Sequence, residues 1–161
     1  MMEKLNRSIE LRKEGKQVES NKLLVELVKE FPMDAIVNYQ CAWSYDLLGE
    51  ESKAVPYYEA AIELGLSGQA LEGAFIGLGS TYRTLGEYEK SKQVFQKGIN
   101  QFPNNQALQV FYSMTLYNLD EHQNAMQILL KCLLDNTQDE EILNYKTAIN
   151  FYSDKLDRVW T

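Results

Sequence analysis

Side chains capable of acid–base, nucleophilic or metal chemistry are scarce in this 161-residue sequence. His122 is the only histidine, and it lies between Glu121 and Gln123 in a predicted turn, where histidines are usually solvated. The two cysteines, Cys41 and Cys132, are too far apart for a zinc or redox motif, and we interpret them as core thiols. These residues predict neither an active site nor a metal or cofactor site.

Other segments with a chemical character also fall short of a functional motif. Residues 135–139 (DNTQD) offer oxygen ligands, but they lack the glycine and the terminal glutamate of a calcium loop. No glycine-rich phosphate loop and no G-x-S-x-G sequence occurs. The basic residues near the N terminus alternate with glutamates and predict a solvated helix face. Catalysis is therefore the least supported function.

Composition excludes several kinds of partner. The net charge of −7 and the pI near 4.8 argue against nucleic acid, which requires a basic face. Hydrophobic residues make up 45% and charged residues 24%, as in folded globular proteins. No stretch resembles a signal peptide or a membrane-spanning helix, so we expect a cytoplasmic protein with reduced thiols.

A period of about 34 residues runs through the chain. The dipeptide Phe-Pro occurs at 31–32 and at 102–103, each time at the same interval after a glycine, Gly15 or Gly86. Gly49 follows Gly15 by one period, and an aspartate takes the glycine place in the last unit. The predicted turn positions are therefore 15, 49, 86 and 120.

Small and large residues recur at fixed positions in each unit, which allows two helices to cross closely. The longer interval between the second and third turn positions predicts a longer loop near residues 65–69. In register, the units are 1–34, 35–71, 72–105 and 106–139. The eighth and twentieth positions are small: Ser8, Ala42, Gly79 and Ser113, then Ser20, Ala54, Ser91 and Ala125.

Each unit is predicted to be a helix–turn–helix. Apolar residues in 37–48 follow helical spacing, and Gly86 suits the end of a helix. Asp34 and Asn105 precede helical stretches and are good N-caps. Residues 140–157 keep a helical pattern and predict a capping helix on the last unit.

This register resembles that of tetratricopeptide repeat proteins over nearly the whole chain. The resemblance implies an all-α fold, an α-solenoid of stacked antiparallel helix pairs, with four repeats and a C-terminal capping helix in one domain, 1–161. The second and third units carry it best, at Ala42, Tyr45, Gly49, Ala54, Tyr58 and Ala61, and at Phe75, Leu78, Gly79, Tyr82, Gly86, Phe95 and Pro103.

In the family that the chain resembles, the first helices of the repeats line a concave groove that binds a partner. The resemblance implies that this groove consists of Ile9, Arg12, Tyr39, Trp43, Asp46, Ile76, Ser80, Arg83, Val110, Met114 and Tyr117. The set is largely apolar and aromatic, which suits an apolar peptide. It does not match the clamp for heat-shock chaperone C termini, because Leu5, Ile9 and Gln40 replace its lysine and asparagines.

Structural interpretations compete with these site assignments. Tyr39 and Trp43 lie four residues apart on one helical face and could pack against the neighbouring first helix. The small residues Gly73, Gly77, Ser80 and Thr84 form a stripe that predicts either close helix packing or a floor for a ligand backbone.

We therefore predict a non-enzymatic adaptor that binds a peptide segment of another protein in its concave groove. No cofactor, nucleic acid or membrane partner is expected. Two alternatives stay open: a self-associating, homodimeric assembly module, and a peptide-sensing regulator acting in trans, as in some bacterial systems.

Overall fold

The computed structural model describes residues 1–161, which form ten helices and no strands. The predicted all-α solenoid is confirmed. None of the helices is both long and apolar enough to cross a lipid bilayer. The helices are α1 (Met2–Lys13), α2 (Gln17–Glu30), α3 (Ala35–Asp46), α4 (Glu51–Glu63), α5 (Gly68–Thr84), α6 (Tyr88–Gln101), α7 (Gln106–Asn118), α8 (His122–Asn136), α9 (Glu140–Asn144) and α10 (Lys146–Tyr152).

All four helix pairs have the same type of turn between their two helices. An amide after the turn donates to a carbonyl five residues earlier, as in Lys16 to Leu11 at 2.9 Å and Glu121 to Leu116 at 2.9 Å. This bond requires a left-handed residue just before the amide. Glycine fills that place in three pairs, and Asp120, with φ 60°, fills it in the fourth.

The predicted helix caps are confirmed. The Asp34 carboxylate accepts the amide hydrogen of Val37 at 2.9 Å, and the Asn105 side chain accepts that of Leu108 at 3.1 Å. Each bond satisfies an amide that the first turn of a helix leaves without a partner. The caps thus fix where α3 and α7 begin.

Small side chains hold the two helices of a pair at close range. The Ser91 hydroxyl donates to the Gly79 carbonyl at 2.7 Å, and Ser20 does the same to Ser8 at 2.8 Å. A Cβ on Gly79 would lie 2.5 Å from the ring of Phe95, which is fully buried. Only glycine therefore allows this ring to lie against α5.

Each pair then packs on the next pair. The first helix α5 contacts both α3 and α7, and each of these three helices also packs against the second helix of the preceding pair. The first helices therefore line the inner, concave side of a curved array. Its main core lies between α3 and α7, and a smaller core joins α1, α2 and α3.

A half-buried carboxylate connects three helices. Asp46 at the end of α3 accepts hydrogen bonds from the Tyr58 hydroxyl at 2.6 Å and the Thr81 hydroxyl at 2.9 Å. Burial raises the pKa of Asp46, and the two hydrogen bonds oppose that rise. The contact joins α3, α4 and α5 and fixes the register between two pairs.

The longer loop predicted near 65–69 is wrong. The extra residues extend α5 instead, which begins at Gly68, four residues before the predicted unit boundary. Leu66 and Leu71 are both buried in the main core. Because their burial stabilises the added turn, the chain lengthens the helix and keeps the loop short.

The C-terminal cap also differs from the single helix predicted over 140–157. Residues 140–152 form the short helices α9 and α10, separated at Tyr145, and no helix continues beyond Tyr152. Short helices depend on tertiary packing for stability. Here α10 packs against α8 and α9.

We predict that Gly79→Ala destabilises the protein by about 1–3 kcal/mol, because the new methyl group overlaps Phe95. Alanine favours a helix interior over glycine by roughly 0.5–1 kcal/mol, so a loss of stability identifies the clash. Urea unfolding followed by circular dichroism measures the change, with Gln93→Ala on the exposed face of α6 as the control. Unchanged or increased stability would contradict the prediction.

We predict that Asp46→Asn becomes more stable relative to the original chain as the pH rises. The pKa of Asp46 is raised in the folded state, so its contribution to stability is fully present below the unfolded pKa. That contribution is lost as the pH rises through the folded pKa. Urea unfolding at pH values below and above about 3.9 measures the difference. Glu63→Gln, which removes an exposed charge, is the control, and a pH-independent difference for Asp46→Asn would refute the prediction.

Candidate functional site

The residues predicted for the concave groove lie on the first helices α1, α3, α5 and α7. All of them keep some exposure to solvent, whereas the small eighth position of each unit is buried. Trp43 and Met114 are about two fifths exposed, and Tyr117 is 64% exposed. We call the face that these residues are expected to form the concave groove.

At the N-terminal part of the concave groove, an arginine lies flat on a tryptophan. The guanidinium carbon of Arg12 is 3.8 Å from the centre of the Trp43 ring, and Tyr39 lies beside that ring at 6.0 Å. Burial lowers the pKa of Arg12, and its Nη1 has no hydrogen-bond partner. The stack holds Trp43 in place while leaving part of its ring exposed.

The small residues of α5 are covered by aromatic rings. The Tyr39 hydroxyl end lies directly over Gly73, and the Tyr58 ring lies over Gly77. The hypothesis of a floor for a ligand backbone is therefore wrong at these two glycines, where the space is filled. Tyr39 accordingly has a packing role between α3 and α5 as well as a partly exposed edge.

Asp46 has little capacity left for a ligand. Its two carboxylate oxygens accept from Tyr58 and Thr81, as described for the fold. With this carboxylate engaged, the concave groove presents Arg12 and Arg83 as its charged groups.

The C-terminal part of the concave groove combines apolar side chains with unused donors. Arg83 Nη1 donates to the side-chain oxygen of Asn118 at 3.4 Å, while Arg83 Nε has no partner. Ser80 Oγ is also buried without a partner. Met114 and Tyr117 provide exposed apolar surface next to these groups. Buried donors without partners are costly, and a ligand that supplies acceptors would remove that cost.

The chemistry-bearing residues are dispersed. His122 begins α8 and is exposed, 3.7 Å from the Asp120 carboxylate. Cys41 is fully buried, and burial raises the pKa of its thiol to about 12. Cys132 is also buried, and no three side chains of the metal-binding types converge.

Sequence reasoning missed an exposed apolar surface on α8. Met126, Leu129 and Leu133 are each between 38% and 45% exposed. In sequence, Leu129 stands at the twenty-fourth position of its unit, where the other units bury a large side chain. No signal in the pattern distinguishes it, because its exposure depends on which element packs against α8 in space.

Solved structures of MamA share this fold. MamA from Desulfovibrio magneticus RS-1, residues 41 to the end, has a TM-score of 0.73 at 14% identity, covering 94% of this chain and 84% of that chain. MamA MSR-1 C2 has a TM-score of 0.71 at 18% identity, covering 80% and 72%. At such identities the likeness concerns the fold alone.

Sequence comparison identifies the family. No curated protein sequence matches the chain. A family model described as tetratrico peptide repeat matches residues 35–156, from the start of α3 to beyond α10. The chain therefore belongs to the tetratricopeptide repeat family, whose helical solenoids generally act as scaffolds for interaction with other proteins.

Proposed function

We propose that this protein is a non-enzymatic cytoplasmic adaptor whose concave groove binds a peptide segment of a partner protein. One observation carries the proposal: exposed apolar rings share the concave groove with buried donors that have no acceptor. The apolar surface supplies binding energy, and the donors select a ligand with oxygen acceptors in matching places.

Trp43 is the central anchor of this proposal. Tryptophan and arginine are enriched among residues that dominate binding energy at interfaces. Arg12 fixes the plane of the Trp43 ring from one side, so little side-chain freedom is lost when a ligand covers the exposed part. A preorganised ring of this kind favours an apolar ligand side chain packed on it.

The unused donors define the polar part of the ligand. Arg12 Nη1 and Arg83 Nε lie on α1 and α5, with Ser80 Oγ between them in the chain. Peptide carbonyls or carboxylates satisfy such groups, and charged donors make the stronger bonds. The proposed ligand is therefore an apolar segment that also carries acidic residues, although the adaptor itself is acidic, with net charge −7.

Self-association is a competing proposal. Exposed apolar side chains on a solenoid can pair two copies of the chain. Sedimentation velocity at several concentrations separates this from peptide binding, since a strict monomer excludes a homodimer. A peptide-sensing regulator acting in trans would use the same concave groove. It differs from an adaptor only in the effect that ligand binding has on other proteins.

We predict that Trp43→Ala weakens peptide binding by about 30-fold, the effect of losing an anchor worth about 2 kcal/mol. A displayed peptide library, selected on the original chain, supplies the ligand, and fluorescence anisotropy measures its affinity. Circular dichroism and urea unfolding check that the variant keeps its fold.

Trp160→Ala is the matched control, because Trp160 is the other tryptophan, is 50% exposed and lies outside the concave groove. We expect it to bind as the original chain does. Equal affinity of the Trp43→Ala variant, or a library that yields no ligand, would refute the proposed function.

A further inference from the structure

The surface of the last long helix pair, α7 and α8, that faces the C-terminal end of the array is open to solvent. A cavity of about 470 Å³ lies between α7 and α8, and α5 contributes only Arg83 to its walls. We call this cavity the terminal groove. Its walls include Arg83, Met114, Tyr117, His122, Met126 and Leu129.

In every earlier pair the equivalent place is filled by a helix. The second helices α2, α4 and α6 are covered by the following first helices α3, α5 and α7. The following helix buries the side chain at the twenty-fourth position of each of these units: Leu24, Tyr58 and Phe95 are 1%, 2% and 0% exposed. Leu129 at the same position is 38% exposed, so the terminal groove lacks the helix that its shape accepts.

The C-terminal segment of the chain does not fill the terminal groove. It packs on a neighbouring side of α8, beside Leu130, and Gln123 donates to the Asp154 carbonyl at 2.8 Å. In the register of the repeats, Lys146 and Asn150 would stand at the seventh and eleventh positions. Units two to four have apolar or aromatic residues there, so the segment is a poor occupant.

A second copy joined head to tail is a poor occupant as well. Its free first helix would be α1, whose outer face carries the exposed residues Glu3, Arg7 and Glu10. The equivalent residues of α3 are buried against α2: Val37, Cys41 and Ser44. Placing α1 in the terminal groove would desolvate three charges, and Arg83 is the only charged arginine or lysine in the walls that could pair with one of the glutamates.

We propose that the terminal groove binds an amphipathic helix of a partner protein, with an acidic side chain that pairs with Arg83. The groove walls contain methionine and leucine side chains, and methionine adapts to varied apolar surfaces. Arg83 is the one arginine or lysine in the walls, which hold no acid, and its Nε has no partner. Charge complementarity thus requires an acid on the partner.

The expected partner helix is similar in length to the helices that occupy the equivalent sites of the earlier pairs. Those helices, α3, α5 and α7, contain 12, 17 and 13 residues. A partner helix of three to four turns with apolar residues on one face therefore spans the terminal groove. This surface adds to the proposed peptide-binding function. Arg83, Met114 and Tyr117 border both grooves, so Leu129 and Trp43 are the residues that distinguish them.

A displayed library of amphipathic helices, 13 residues long like α7, tests the proposal on the full-length chain. We expect selected sequences to share an apolar face and an acid at one fixed position. Leu129→Lys and Arg83→Ala should each weaken a selected peptide at least about tenfold, as loss of an interface anchor does. Leu129 is partly exposed, so the lysine variant is expected to fold, and urea unfolding verifies this.

Two controls separate the terminal groove from other surfaces. Leu143→Lys changes a leucine of similar exposure outside the terminal groove, and Trp43→Ala changes only the concave groove; neither should alter binding. Loss of binding in Trp43→Ala would place the peptide in the concave groove and overturn this proposal while supporting the proposed function. Sedimentation that shows a dimer abolished by Leu129→Lys would also overturn it, because the occupant would be a second copy.

Discussion

Close contact between helices at small side chains is the constraint on which this structure depends. Each pair crosses where its eighth and twentieth positions meet, and serine, alanine and glycine are the residues found there. The Ser91 hydroxyl donates to the Gly79 carbonyl, so the contact is a hydrogen bond as well as a fit. Because the backbones come this close, the large residues beside them, such as Phe95, are fully enclosed.

The same constraint positions the concave groove. With the eighth position of each first helix turned toward its own partner, the neighbouring ninth and twelfth positions face the inside of the curve. Trp43, Met114 and Tyr117 become accessible for this reason, and Arg12 reaches across from α1 to stack on Trp43. The exposure of the concave-groove residues thus follows from the packing of the two helices within each pair.

Sequence alone predicted the features that depend on local rules. Helix pairs, turns and caps follow from the left-handed turn residues and from Asp34 and Asn105, which act within a few residues of their own position. Features that depend on distant packing were missed. The added turn of α5 is stabilised by burial of Leu66 and Leu71, and the C-terminal segment is divided into α9 and α10.

The proposed groove residues show the same difference between what local rules predict and what distant packing decides. The register predicts that they share one face, and all of them are at least partly exposed. Their individual roles were not predictable, because Asp46 is held by Tyr58 and Thr81 on other helices, and Tyr39 covers Gly73. The repeat period alone does not distinguish side chains that pack between two repeats from side chains that are free to bind a partner.

The uncovered side of α7 and α8 has a kinetic consequence. In a linear array, stability is a sum of terms within repeats and between neighbours, and an end repeat has only one neighbour. The C-terminal pair, covered only by the short helices beside α8, is therefore one place where unfolding is expected to start, as is the N-terminal pair α1 and α2. A helix bound at the C-terminal pair would turn an end repeat into an interior one and slow opening from that end. The lifetime of the folded chain would then depend on its partner.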